Sequence, residues 1–234
     1  MSERSILEQQ IDYYRARAGE YDEWWFRTGR YDRGQEWNAR WREDVAQVES
    51  ALERWLDARR PQTALELACG TGLFTRHLAA KVGRLTAVDA SPEVLAINHG
   101  RVAARNIEYV QADLFAWQPS ERYDIVFFSF WLSHVPDERF AMFWKLVAEA
   151  LAPGGAAYLI DSAFDPTSTA KDHVLPERET GIATRKLNDG REFRIVKFFY
   201  EPAVLSAKLE QVGFASDIRQ TRQYFICGEA RPAD

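Results

Sequence analysis

The amino-acid sequence predicts an α/β fold, a parallel sheet with helices on both faces. Three observations carry this. Short apolar runs near 63–68, 84–88, 107–111, 124–129 and 156–161 alternate with helix-period segments near 72–81, 92–104 and 137–152. Strands that alternate with helices build parallel crossover units. The first run, Ala64-Leu65-Glu66-Leu67-Ala68, breaks into Cys69-Gly70-Thr71-Gly72, and a helical pattern with Leu73, Phe74, His77 and Leu78 follows. Such a turn presents backbone N–H groups beyond the strand ends. The second run, Leu85-Thr86-Ala87-Val88, ends on an acid, Asp89.

The sixty residues before the sheet are helical in pattern and aromatic, with Trp24, Trp25, Trp37, Trp41 and Trp55 among them. Trp37, Trp41, Val45, Val48, Leu52 and Trp55 recur at three- and four-residue steps, one apolar face of a helix expected to pack on the sheet. In the core, Gly70 and Gly72 allow positive φ and leave room for a close-approaching ligand. Asp89 is placed to accept hydrogen bonds from ribose hydroxyls. Ser91-Pro92 reads as a helix start, serine at the N-cap and proline in the first turn. Tyr123 to Trp131 reads as a buried strand running into an aromatic loop, and Leu151 to Ile160 as a helix-end turn and a further strand.

The pattern predicts a nucleoside-containing ligand, and the turn narrows its kind. A dinucleotide fingerprint needs a third glycine, where Thr75 stands. Glu66, just before the glycines, suits a cationic ligand better than a pyrophosphate. Glu66-Leu-Ala-Cys-Gly-Thr-Gly resembles the first motif of class I S-adenosylmethionine-dependent methyltransferases of the small-molecule type, and Val88-Asp89-Ala90-Ser91-Pro92 resembles their second. Ala68 stands where that family often has glycine. The resemblance covers roughly residues 60 to 162. It implies a Rossmann-like, doubly wound seven-stranded sheet, mostly parallel with an antiparallel last strand. It also implies S-adenosyl-L-methionine as methyl donor, with S-adenosyl-L-homocysteine as product. Cofactor contacts then fall to Glu66, Ala68, Gly70, Thr71, Gly72, Asp89, Ala90, Ala112, Asp113, Leu114, Ser129 and Phe130, with Asp113 beside the adenine. By the same resemblance the tyrosine-rich segment 13–25 is a lid. Tyr14, Arg15 and Tyr21 approach the methionine carboxylate, and Trp24 or Trp25 the acceptor.

A single methyltransferase domain over 1–234 is expected. It comprises an N-terminal helical lid (1–60), a cofactor-binding core (61–162), an insertion forming the acceptor pocket (163–200), and a last helix with edge strands (201–234). Within the insertion, Ser162 to Glu179 reads as irregular with Pro166 and Pro176, and Ile182 to Tyr200 as a hairpin around Asn188-Asp189-Gly190. Its Arg185, Lys186, Arg191, Arg194 and Lys197 offer charge to an anionic acceptor, but alternation assigns them to a solvated face. A helix near 202–212 and strands near 214–219 and 222–228 close the chain.

Composition limits the function classes. A net charge of −5 gives no reason to expect nucleic-acid binding. Two cysteines, Cys69 and Cys227, lack metal-ligand spacing and suit a reducing, cytoplasmic compartment. The polar N-terminus and the lack of a long apolar run give no leader or membrane span. The expected partner is a small-molecule acceptor, with the chain a monomer or homodimer and no metal. Aromatic residues in the lid and insertion suggest a partly apolar or aromatic molecule methylated on oxygen or nitrogen. Methylation of carbon or sulfur, or of RNA or protein, stays open. An NAD-linked oxidoreductase and a non-catalytic cofactor-binding module fit less well. His134, after the fourth strand, is the candidate catalytic base. Trp24, Trp25, Trp131, His134 and Tyr200 are candidate acceptor contacts, and His77 and His99 are read as structural.

Overall fold

The computed structural model describes residues 5–173 and 181–233, so Pro176 and Glu179 lie outside the described residues. Seven strands form the main sheet: β1 (Thr63–Leu67), β2 (Arg84–Asp89), β3 (Ile107–Gln111), β4 (Tyr123–Ser129), β5 (Leu151–Ser162), β8 (Phe214–Gln220) and β9 (Phe225–Pro232). Their spatial order is β3-β2-β1-β4-β5-β9-β8. β9 runs antiparallel to β5 and β8, and the other pairings are parallel. β6 (Ile182–Lys186) and β7 (Glu192–Val196) form a separate hairpin. The strand order reverses between β1 and β4, where an open α/β sheet places its ligand crevice.

Both faces of the sheet are covered. Ile125 and Phe127 of β4 join a core with Trp41, Leu52 and Phe74, whereas Val126 and Phe128 join one with Phe143, Trp144 and Leu209. Alternate residues of one strand are thus apolar on both sides, as a doubly covered strand requires. Helices α3 (Gln35–Arg59) and α4 (Thr75–Ala79) pack on the first face, and α6 (Phe140–Ala150) and α7 (Pro202–Gln211) on the second. α5 (Pro92–Arg101) starts as its sequence suggests, the Ser91 hydroxyl accepting from Val94 N–H with Pro92 in the first turn.

Several boundaries differ from expectation, three of them near the site or for a visible reason. α4 begins at Thr75, because Gly70 to Phe74 form the cofactor-side turn; Gly72 sits at φ +89°, where an added Cβ would lie 2.7 Å from Asn98 Oδ1. β5 begins at Leu151, paired with Tyr123 ahead of an irregularity. β9 begins at Phe225 because the preceding turn is tied to buried Asp44, which accepts from the Thr221 hydroxyl and from Gln223 and Tyr224 N–H. On α3, Trp41, Val48 and Leu52 are fully buried as expected, while Trp37 lies under the Arg40 guanidinium.

Two short helices, α1 (Ile6–Arg17) and α2 (Asp22–Phe26), close over the carboxyl ends of the strands. Asp22 accepts from the Thr71 hydroxyl at 2.6 Å and pairs with Arg101. α1 packs against the hairpin, with Tyr13 buried against Ala183, Leu187 and Ile195. No helix among the described residues is long and apolar enough to cross a membrane.

Candidate active site

Two adjoining cavities lie beneath the lid. The first is a cleft of about 820 Å³, counting its open mouth, at the ends of β1, β2 and β4. Ala68, Gly70, Asp89, Ala90, Asp113, Leu114, Ser129 and Phe130 line it, roofed by Tyr14 and Tyr21. The Asp89 carboxylate is aimed by Gly70 N–H and Ser91 N–H, both at 3.0 Å. Burial raises its pKa. Asp113 accepts from Phe115 N–H at 3.0 Å. Ala68 and Phe130 adopt left-handed backbone at φ +52° and +53°, which costs non-glycine residues on the order of 1 kcal/mol each. The strained alanine explains why glycine suits position 68.

Five expected cofactor residues sit off the cleft wall. Glu66 lies behind the turn, 1% exposed, with no hydrogen-bond partner for either carboxylate oxygen. Burial pushes it up to about 8; the nearby Thr75 hydroxyl works against the rise and the Asp89 charge adds to it. Thr71 is spent on Asp22 and Gly72 packs on Asn98. Arg15 faces outward to Glu93 at 3.0 Å. Ala112 contributes its N–H to the Asp89 carbonyl instead of a wall.

The second cavity, about 580 Å³, lies between lid, hairpin and the 162–173 segment. Its walls carry Arg17, Arg185 and Lys197, with Tyr31, Thr169 and His173, and no carboxylate lines it among the described residues. Arg185 and Lys197 are 8% and 7% exposed, which corrects their assignment to a solvated face. Arg185 shares the inward phase of Ala183 and Leu187, as Lys197 shares that of Phe193 and Ile195. The alternation was legible, but apolar and cationic residues fall on one face. Arg185 Nη1 is buried without a partner. Burial lowers Arg185 and brings Lys197 down to about 8, the latter against the pull of Asp161 at 3.6 Å. Burial and Arg185 lower His173 to about 4.

Of the expected acceptor contacts, Trp24 and His134 line this cavity. Trp131 lines the cofactor cleft. Trp25 is core, against Trp41 and Phe74. Tyr200 packs on Phe140 and Phe198, in the core beneath the second face. Arg17 and Tyr31 went unread in the sequence, because nothing local marks them as pocket residues.

The cleft, at the strand-order reversal, with the carboxylates of Asp89 and Asp113 and an apolar slot of Leu114, Phe115 and Trp131, fits a nucleoside-containing ligand. Comparison with known proteins agrees. A methyltransferase domain model matches residues 64–155. The chain is 31% identical over 179 residues, 68% of each chain, to the ubiquinone/menaquinone biosynthesis C-methyltransferase UbiE of Escherichia coli. It is 34% identical over 116 residues to the cypemycin N-terminal methyltransferase of a Streptomyces species, spanning about half of each, 47%. A solved complex described as DhpI-SAM-HEP superimposes with a TM-score of 0.79 at 38% identity, covering 99% of this chain and 100% of that one. The same protein solved with SAH gives 0.79 at 36% identity, with 99% of each covered. The chain belongs to the S-adenosylmethionine-dependent methyltransferases, and S-adenosylmethionine is its cofactor.

Proposed function

We propose that the protein methylates an oxygen of a small anionic molecule held in the second cavity. The carrying observation is that cavity itself: Arg17, Arg185 and Lys197 on its walls, no carboxylate among the described residues that line it, and a buried Arg185 N–H without a partner among them. Buried donors of this kind suit an oxyanion, which satisfies several of them at once. A protonated amine would meet repulsion there. Trp24, Phe130, Ile195 and Phe199 add an apolar wall for a carbon skeleton, so the partly apolar acceptor expected from the sequence is kept and given a charge. That the related DhpI was solved as a complex with both SAM and HEP supports two cavities filled together.

The cofactor supplies a sulfonium methyl: an acceptor oxygen lone pair forms the new O–C bond, the C–S pair returns to sulfur, and the two charges cancel. No proton is released when the acceptor oxygen is already anionic. Asp89 and Asp113 hold the nucleoside, the lid excludes water, and the cations fix the acceptor's orientation. Residues 1–234 act in this reading as one domain, with 1–60 as lid and 163–200 as pocket.

The test is a panel of small carboxylates, phosphonates and phosphate monoesters, set against amines and neutral phenols, with mass detection of one added CH₂ group. Turnover is expected in the anionic set. Turnover confined to the amines or phenols would overturn the reading.

A further inference from the structure

Tyr14, Tyr21, Phe130 and His134 line both cavities and so form the wall between them. Methyl transfer has to cross that wall. Within it, three hydrogen bonds close a ring through His134, and a fourth leads from the ring to Tyr14. Gln10 Nε2 donates to the His134 carbonyl at 3.2 Å, and Val196 N–H donates to Gln10 Oε1 at 3.0 Å. His134 Nδ1 lies 2.6 Å from the Val196 carbonyl, and His134 Nε2 lies 2.7 Å from the Tyr14 hydroxyl. A carbonyl only accepts, so Nδ1 carries the proton. Nε2 then holds the lone pair, and Tyr14 is its donor.

We propose that Tyr14 is a catalytic residue of the transfer and that His134 is its positioning residue, holding the phenol in the wall instead of removing a proton. This rests on the reading of an anionic oxygen acceptor, which yields no proton to a base. With its own proton given to His134, the Tyr14 oxygen keeps its lone pairs for the space between the cavities. A methyl group on a positive centre has polarised C–H bonds, which such an oxygen accepts weakly but directionally. The lid therefore supplies a group at the transfer point, and the hairpin, through Val196, fixes it.

The charges around His134 agree. Lys197, Arg185 and Arg17 face it from the hairpin and the lid, and the carboxylate of Asp161 lies beyond Lys197. Burial, then the Lys197 charge, holds the imidazole well below its ordinary value, against the favourable Val196 carbonyl. The ring is neutral at physiological pH, and both of its nitrogens are engaged.

Two readouts test this. Nitrogen-15 NMR of histidine-labelled protein without ligand reports the His134 tautomer, assigned by its loss in His134→Asn. A proton on Nδ1 and no titration between about pH 6 and pH 8 are expected. A proton on Nε2, or titration in that range, would overturn the proposal whether or not any acceptor is turned over. The second readout is kinetic, on the fastest anionic acceptor of the panel. Tyr14→Phe and His134→Asn, each checked for folding by S-adenosylhomocysteine binding, should each lower kcat by roughly tenfold or more with KM changed far less. The combined variant should be no slower than either single one, because His134 works only through Tyr14. Multiplying losses would assign His134 a separate role and defeat the proposal. Absence of anionic turnover in the wild type would instead fault the acceptor reading and leave the tautomer result standing.

Discussion

The two cavities under one lid are built in opposite ways. The floor of the cofactor cleft is made from strand ends, and its charged groups are carboxylates whose aim is set by neighbouring backbone N–H groups, as at Asp89. The second cavity is made from segments far apart in the chain: Arg17 on the lid, the 162–173 segment, and the hairpin with Arg185 and Lys197. Its polar groups are side-chain donors. In the proposed reading one cavity takes a neutral sugar and base, the other a negative charge. The fold thus supplies the donor site through backbone topology, while the acceptor site depends on what is laid across it. Acceptor chemistry can then change through the lid and hairpin without disturbing the strands.

If the division is real, single substitutions should separate the two affinities. Arg185→Ala removes a buried guanidinium on the acceptor side, so kcat/KM for an anionic acceptor should fall by about 100-fold or more, with S-adenosylmethionine affinity near wild type. Asp89→Asn should do the reverse, weakening the cofactor by roughly tenfold or more with little change in acceptor KM at saturating cofactor. Calorimetric titration and steady-state kinetics on both variants measure this. Parallel loss of both affinities in both variants would break the comparison and make the two cavities one coupled site.

The same division explains what the sequence could reveal. The glycine turn, Asp89 and the alternation of strands and helices are legible because each is a short-range pattern, and Asp113 was named only through the family resemblance. Ala68 was visible as a departure, but its left-handed backbone was not. The second cavity was hidden for a different reason. Arg185 and Lys197 read as solvated because a charged residue on an alternating strand is ordinarily outside; only the packing of α1 on the hairpin puts that face inside. Glu66 was read as a partner for a cationic ligand, but its strand phase buries it behind the turn. Asp44, on the apolar face of α3, was passed over because its partners lie across the chain in the Thr221–Tyr224 turn.

Glu66 sharpens the contrast in stability, not in affinity. Glu66 and Lys197 are both drawn to about 8 by burial, one upward from 4.5 and one downward from 10.5. The unfolded chain loses the Glu66 proton near 4.5 and the folded chain near 8. Between those values the native state binds more protons, so this group's contribution to stability falls as pH rises. Glu66→Gln carries no such proton. The variant should match the wild type near pH 4.5 and exceed it near pH 8 by about 1.4 kcal/mol for each unit by which burial raises the pKa, several degrees in Tm. Thermal unfolding of the ligand-free protein at the two pH values checks it. A variant less stable at both would show that Glu66 makes a bond in the native state that its buried oxygens do not display.

The smallest effect concerns two arginines on one helix. Arg15 and Arg17 are two positions apart on α1, and positions so spaced do not share a helix face. Arg17 turns inward to the acceptor cavity, over the Tyr21 ring at 4.8 Å, and Arg15 turns out to Glu93 with both side chains about half exposed. Resemblance to related methyltransferases assigns Arg15 to the methionine carboxylate, whereas the geometry assigns it to a solvent-screened pair that holds little energy. Arg15→Ala should therefore leave cofactor affinity and turnover within about twofold of wild type, read by titration and by initial rates. A cofactor affinity reduced tenfold or more would mean that α1 rotates when the cleft fills, bringing Arg15 inward. The wall carrying Tyr14 would then be a property of the ligand-free state alone.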